Sequence, residues 1–284
     1  MKKIVSLILT LTLCLGVAFS LTSCGDDELN FGKEYKAIKS QVDVLIELNA
    51  KSIDVGVMDS IMAGYYMTQD SAYANSLMIV EDLALATEQY GIAARKGSGL
   101  AKMISKTMIE LAKTGVVDAI AEAYGIKSEL CIDTTKTIAE LTDAEKQDWD
   151  YIKANGKVII GYTDFAPISY EDANGNLIGF DVDLAKAVCA VLGITPEFVL
   201  IDWNTKEAKL EAKTIDCIWN GMTITEERLA AMEITIPYLN NKQVAVIRKA
   251  DADKYKTTDD MADAIIGAES GSAGESCIVK ESDK

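Results

Sequence analysis

Histidine is missing from the 284 residues, and proline occurs only three times. Without an imidazole, no Ser-His-Asp or Cys-His machinery can operate and no His-ligated zinc site can form. Most hydrolytic mechanisms lose their usual base at this step. Positive charge is also scarce. The 28 Lys and Arg stand against 44 Asp and Glu, for a formal net charge of −16. Phosphates need a basic face, so nucleic acid is not an expected partner. The six cysteines show no CxxC spacing, which argues against a metal site and against a dense disulfide framework. The phosphate-binding pattern GxxxxGK[ST] is absent, so no ATPase of that class is encoded. No catalytic residue, metal or cofactor is assigned.

What remains is a globular profile, 49% hydrophobic and 25% charged, on a length that suits one or two domains. The chain opens on Lys2 and Lys3, an apolar run from Ile4 to Phe19, and then Leu21-Thr22-Ser23-Cys24. The run is short for a membrane span and has signal-peptide proportions. Leu-Thr-Ser-Cys resembles a bacterial lipobox, which implies removal of residues 1–23 and lipidation (palmitate included) of Cys24. An uncleaved signal anchor, or cleavage that leaves Cys24 free, are the alternatives. Loss of Lys2 and Lys3 makes the mature chain more acidic still. It is then expected on the extracytoplasmic face of the cell membrane, held by lipid and not by charge attraction. Cys131, Cys189, Cys217 and Cys277 remain, as buried free thiols or with a disulfide among them.

Short apolar runs alternate with helical patterns. Strands are expected over Ile53–Asp59, Leu77–Val80, Tyr90–Ala94, Val158–Tyr162, Phe198–Ile201, Ile215–Trp219, Val244–Ile247 and Ile265–Ala268. Leu100, Met103, Ile104, Met108, Leu111 and Ala112 keep helical spacing, as do Leu184, Ala185, Val188, Val191 and Leu192, with Asp181 placed to cap the second helix. This alternation predicts an α/β fold with mainly parallel sheets and a ligand at the carboxyl ends of the strands. The polar, Thr-rich stretch Lys127–Gln147 reads as a linker into a helix ending at Gly156.

Three stretches go further: VIIGYTDFAPISY from Val158, GFDVDLA from Gly179, and IDCIWNGMTITEER from Ile215. Together they resemble the first lobe of the polar amino-acid-binding proteins of ABC importers, the family 3 solute-binding proteins. IIGAESGSAGE from Ile265 is similar to the family's first strand and ligand-touching turn of lobe two. The rest of the family pattern is resembled at the front of the chain: IDVGVMDSIMAGYY from Ile53 is similar to the late lobe-two strand and its acidic residue, EQYGIAARKG from Glu88 to the return crossover, and Leu100–Gly125 to the closing helices. The resemblance therefore implies a type II periplasmic-binding-protein-like fold: two α/β lobes joined by two hinge strands, circularly permuted within lobe two. Residues 24–89 would be the later part of lobe two, 90–249 lobe one with the linker near 127–147, and 250–284 the first part of lobe two. Tyr90–Arg95 and Gln243–Lys249 would cross the hinge.

A free amino acid offers a carboxylate, an ammonium and a side chain. Arg228, at the end of G-x-T-x-T-x-x-R, matches the family's carboxylate fork, assisted by the Thr223 N–H and by N–H groups near Ser272 and Ala273. Asp59 matches the acid that receives the ammonium, with the Gly221 carbonyl opposite. An N-cap role for Asp59 is compatible with this. Phe165 and Trp203 match the two aromatic faces, while Tyr162 and Tyr170 read as structural. Glu269 and Asp164, if they face the pocket, favour a cationic side chain. Asn220 suits a polar one equally well. The resemblance thus implies a lipid-anchored monomeric receptor that closes on a polar or basic amino acid. It would pass its ligand to an ABC permease and ATPase complex. A sensing lipoprotein without a transporter, and an enzyme on the same scaffold, are the alternatives.

Overall fold

The computed structural model describes residues 28–68 and 71–280. The leader, Cys14 and the lipobox Cys24 lie outside them. The strands in chain order are β1 (Glu34–Ile38), β2 (Val55–Asp59), β3 (Leu77–Arg95), β4 (Lys157–Tyr162), β5 (Tyr170–Glu171), β6 (Leu177–Ile178), β7 (Thr195–Leu200), β8 (Cys217–Thr223), β9 (Met232–Ile234), β10 (Leu239–Arg248) and β11 (Ile265–Glu269).

Nine of them form one continuous ladder in the order β1-β11-β2-β10-β3-β8-β4-β7, with β9 on the side of β3. The ladder has two parallel halves. β1, β11 and β2 run parallel at one end, and β8, β4 and β7 run parallel at the other. Between them lie β10 and β3, antiparallel to each other and to their outer neighbours. Each half is an α/β lobe, and the two central strands carry the chain between the lobes. This is the two-lobed arrangement of the type II periplasmic-binding-protein-like fold. Helices cover both faces of a parallel sheet, which is why β2 and β8 are buried at every position.

The first crossing strand is longer than its sequence suggests. Leu77–Val80 and Tyr90–Ala94 read as separate strands, but β3 runs unbroken through 19 residues. The polar middle, Glu81 to Glu88, is held by pairing with β10 from Leu77 to Tyr90. Register shifts near Val244, and a left-handed Asp82 at φ 57°, absorb its poor pattern.

Between Leu130 and Leu141, within the stretch 127–147, no helix forms, and Leu130 makes a backbone bridge to Leu239. The helix Asp143–Asn155 then starts on a capping box, in which the Thr142 hydroxyl accepts from the Glu145 N–H and the Glu145 carboxylate accepts from the Thr142 N–H. It ends on Gly156 in the left-handed conformation, at φ 67°. Cys131, Cys189, Cys217 and Cys277 are all free thiols, the middle two buried.

One expectation is corrected. Asp181 does not cap the helix Phe180–Leu192, whose N-cap is Gly179. The Asp181 carboxylate turns inward, is buried, and accepts from the Gly221 N–H at 2.9 Å and the Tyr238 hydroxyl at 2.8 Å. A carboxylate in the first helical turn can point either way. Here two buried donors outweigh the solvated cap.

Gly179 is fixed by space as well as by conformation. At φ 133°, a β-carbon would sit 2.2 Å from the Ile168 carbonyl oxygen. Gly179→Ala should therefore lower unfolding free energy by about 2 kcal/mol or more. Gly64, in the helix Ser60–Thr68, has nothing within 4 Å of that point. Gly64→Ala should raise stability by about 0.5–1 kcal/mol. Urea unfolding of the two variants side by side checks both.

Candidate functional site

The carboxyl ends of the inner parallel strands of both lobes converge on one cleft. β2 ends on Asp59, β11 on Glu269 and β8 on Thr223, and Thr163 directly follows β4. These ends line the cleft together with Gln41, Phe165, Trp203, Asn220, Gly221, Arg228, Ser272 and Ala273. All ten site residues expected from the sequence are thus brought together. Gln41 and Thr163 join them, whereas Asp164 lies just outside. The lobes are closed on each other. Only about 20 Å³ admits the centre of a water-sized sphere, room for a single water.

Asp59 sits where lobe and hinge meet. Tyr90 from β3, and Asn241 and Gln243 from β10, donate to its Oδ1. Gln41, the first residue of the helix Gln41–Asn49, donates to Oδ2 and accepts from the Asp59 N–H at 3.0 Å. Burial, and then the nearby Glu88, raise the Asp59 carboxyl well above the ordinary range. Glu88 Oε1 accepts from the same two side chains, Asn241 and Gln243. The N-cap alternative for Asp59 falls to Asn241, whose Oδ1 accepts from the Ile61 N–H and the Ser60 hydroxyl.

Glu269 is 5% exposed. Burial first, and Asp59 second, push its carboxyl up to about 8. Two carboxyls therefore face one small space in which neither is easily charged.

Opposite them, Arg228 follows the short helix start capped by Thr225. Its side chain is 13% exposed. Nη1 donates to the Thr223 carbonyl at 2.8 Å, Nη2 reaches Gly271 O at 3.4 Å, and the nearest carboxylate, Glu207, stands off at 3.9 Å. Its guanidinium hydrogen-bonds only to carbonyls, with Glu207 as a longer ionic partner. Burial lowers its pKa from the ordinary value.

Gly221 adopts φ 61°, and a β-carbon there would lie 2.6 Å from Phe165 and 3.1 Å from Tyr90. The Phe165 ring can lie against the strand only because this position is glycine. Asp181 holds the same residue by its N–H, which fixes the peptide plane between Asn220 and Gly221. Asn220 is occupied within its own lobe. Its oxygen accepts from the Thr163 hydroxyl at 2.7 Å and its nitrogen donates to Ser169 Oγ at 2.9 Å. Trp203 is buried, with the Lys206 ammonium 4.8 Å from its ring centre. Ser272 caps the helix Ala273–Ile278 through the Glu275 N–H.

The sequence reading missed Gln41, Tyr90, Asn241 and Gln243. One signal was available. Asn241 and Gln243 are two apart at the start of a strand, so they share a face, and two amides on one buried face need a polar partner. Gln41 carried no such signal. Among the described residues, no group of three or more Cys, Asp or Glu is placed to hold a metal. No helix among them is long and apolar enough to cross a membrane.

Residues 158–281 match the family described as bacterial extracellular solute-binding proteins, family 3. Among curated proteins, the L-cystine-binding protein TcyJ of Escherichia coli K12 is 29% identical over 39% of this chain and 42% of its own length. The ABC transporter arginine-binding protein 1 of the same strain is 33% identical over 40% of this chain and 46% of its own. The chain therefore spans less than half the length of the curated relatives it matches. Of solved structures, domain 1 of TmArgBP in its arginine-bound form is 38% identical, covering 37% of this chain and 89% of that one with a TM-score of 0.31. A histidine-bound ABC uptake transporter substrate-binding protein from Streptococcus pneumoniae is 41% identical, covering 30% of this chain and 35% of that one with a TM-score of 0.29. Residues 158–281 are thus the part of this chain that is similar to the bacterial extracellular solute-binding proteins, family 3.

Proposed function

We propose that this chain is a non-catalytic receptor that binds a free polar amino acid between its lobes, with a preference for cationic side chains. One observation carries the reading. A guanidinium from one lobe, hydrogen-bonded only to carbonyls, and a pair of buried carboxyls from the other line the same cleft. An α-amino acid matches that polarity. Its carboxylate takes Arg228 and the Thr223 N–H, with Ser272 and Ala273 across the cleft. Its ammonium takes Asp59 and the Gly221 carbonyl. Its side chain passes between Phe165 and Trp203 toward Glu269. The names of the relatives, which include arginine- and histidine-binding proteins, support the cationic preference.

Closure supplies the affinity. Lobe one binds first, and rotation about β3 and β10 adds Asp59, Glu269 and the Ser272 turn. A ligand stabilises the closed state only by those added contacts. Cys24 anchors the receptor by lipid on the extracytoplasmic face, and an ABC permease with its ATPase receives the ligand. In the same reading the chain order is permuted. Lobe two comprises residues 24–89 and 250–284, and lobe one residues 90–249. Two contacts support this order: Lys280 N–H donates to Glu28 O at 2.8 Å, and Leu29 bridges to Val279.

A thermal melt against the twenty amino acids tests the binding. Ligand at 100 times its dissociation constant adds about 2.7 kcal/mol, or roughly 5–10 °C for a protein of this size. Arg228→Ala should weaken the responding ligand at least about thirtyfold, measured by calorimetry. An unchanged affinity would sink the carboxylate assignment.

The carboxyls give a second test with opposite signs in the two states. Unfolded, Glu269 and Asp181 titrate near the ordinary value of about 4. Folded, burial holds their protons to about 8 and about 7. The folded protein therefore binds more protons in that window, and its stability without ligand should fall as pH rises from about 4 to about 8. A cationic side chain needs Glu269 ionised, so its affinity should rise over the upper part of the same window, with proton release on binding. Glu269→Gln should flatten that rise and narrow the gap between arginine and a neutral amino acid such as glutamine. An affinity independent of pH in the parent protein would rule out a cationic side chain beside Glu269.

A further inference from the structure

Lys206 does not line the cleft, yet it is among the most buried side chains of the molecule, at 2% exposed. It follows the short turn Trp203–Thr205 in lobe one. Its ammonium donates to Trp203 O at 3.3 Å in its own turn and approaches Glu207 Oε1 at 3.1 Å. It also donates across the lobe boundary to Gly271 O at 3.0 Å. The same carbonyl oxygen lies 3.4 Å from Arg228 Nη2. Two cations of lobe one thus converge on one backbone acceptor of lobe two.

That acceptor is held firmly. The Gly271 N–H donates to Glu275 Oε2 at 2.7 Å, and Glu275 Oε1 accepts from the Tyr35 hydroxyl at 2.7 Å. Gly271 has φ 74°, and a β-carbon there would press on Asn204 Oδ1 at 3.1 Å and lie 3.5 Å from Lys206 Nζ. Lobe two therefore approaches Lys206 as closely as a bare backbone allows. The Lys206 stem lies along Trp203, and burial together with Arg228 lowers its pKa from the ordinary value. A buried ammonium needs acceptors, and parting the lobes removes the one that lobe two provides.

We propose that Lys206 is a latch on Gly271 that sets the balance between closed and open lobes, and through it the residence time of the bound amino acid. The residence-time part rests on the receptor reading above. The latch itself uses only protein contacts, so it acts whatever the ligand. Lys206 is a positioning residue in this scheme and touches no part of the amino acid.

Lys206→Met keeps the stem on Trp203 and removes the donor. Small-angle scattering of the protein without ligand should give a larger radius of gyration than the parent. Stopped-flow dissociation of the responding amino acid should be about tenfold faster, the factor for a charged hydrogen bond worth at least about 1.4 kcal/mol, with the ratio of arginine to glutamine affinity unchanged. A Lys206→Met protein that melts earlier but scatters like the parent would overturn the latch and leave Lys206 a packing residue. Gly271→Ala pushes the lobes apart from the other side and should open the protein too. It carries the test if Lys206→Met does not fold. The double variant should be no more open than the more open single one, and additive opening would count against the latch. If no amino acid binds the parent, the receptor reading fails and scattering alone decides the latch.

Discussion

A carboxylate taken out of water must find donors or give up its charge, and Asp59 finds its donors only where both crossing strands meet lobe two. Tyr90 comes from one strand, Asn241 and Gln243 from the other, and Gln41 from the helix beside it. The register of β2 against β10, with Asp59 opposite Gln243, follows from the same need. Shifted by one residue, the amides would face the wrong side and the acid would be stranded. The position of lobe two relative to the hinge, and so the depth at which Glu269 enters the cleft, depends on this one satisfied acid.

The two lobes reach their polar walls by different means. Lobe two offers side-chain carboxyls at strand ends, backed by amides. Lobe one offers the Arg228 guanidinium beside backbone groups of β8. Asp181 fixes the N–H of Gly221, and Thr223 gives its carbonyl to Arg228. The backbone part of this wall is stiff because its atoms belong to the strand itself. The stacked rings of Phe180 and Tyr238, 6.2 Å apart, back the same network. Beyond burial, Asp59 helps to raise the Glu269 carboxyl and Glu88 helps to raise that of Asp59, so the acids of this region titrate as coupled groups.

Much of this was legible in the sequence where chemistry and position coincide. Gly221 and Thr223 close the buried strand β8, with Arg228 five residues on, at the spacing of the motif the chain resembles, and Asp59 ends a strongly apolar run. The α/β class followed from the alternation of strands and helices, and the two lobes from the resemblance. The shared face of Asn241 and Gln243 signals that they need a polar partner but not which one, since Asp59 is 182 positions from Asn241. Gln41, nearer in sequence, gave no sign of its role. Asp181 reads as a cap because the first turn of a helix looks the same whether its acid points out or in. Lys206 stands in the polar stretch Asn204-Thr205-Lys206-Glu207, which carries no sign of burial. Its burial comes from a backbone in the other lobe. The middle of β3 was missed because pairing with β10, and not its own pattern, keeps it extended.

The paired β3 and β10 have a mechanical consequence. Two antiparallel strands share a ladder from Leu77–Tyr90 against Leu239–Arg248, interrupted by register shifts near Val244. Such a ribbon can twist or flex at its bulges while its backbone hydrogen bonds stay made. In the receptor proposed above, such a ribbon would act as a flat spring between the lobes, compliant in one direction and rigid in the others. Residues facing each other across the cleft would then return to the same register on each excursion, and recognition would need no search over relative orientations of the two halves.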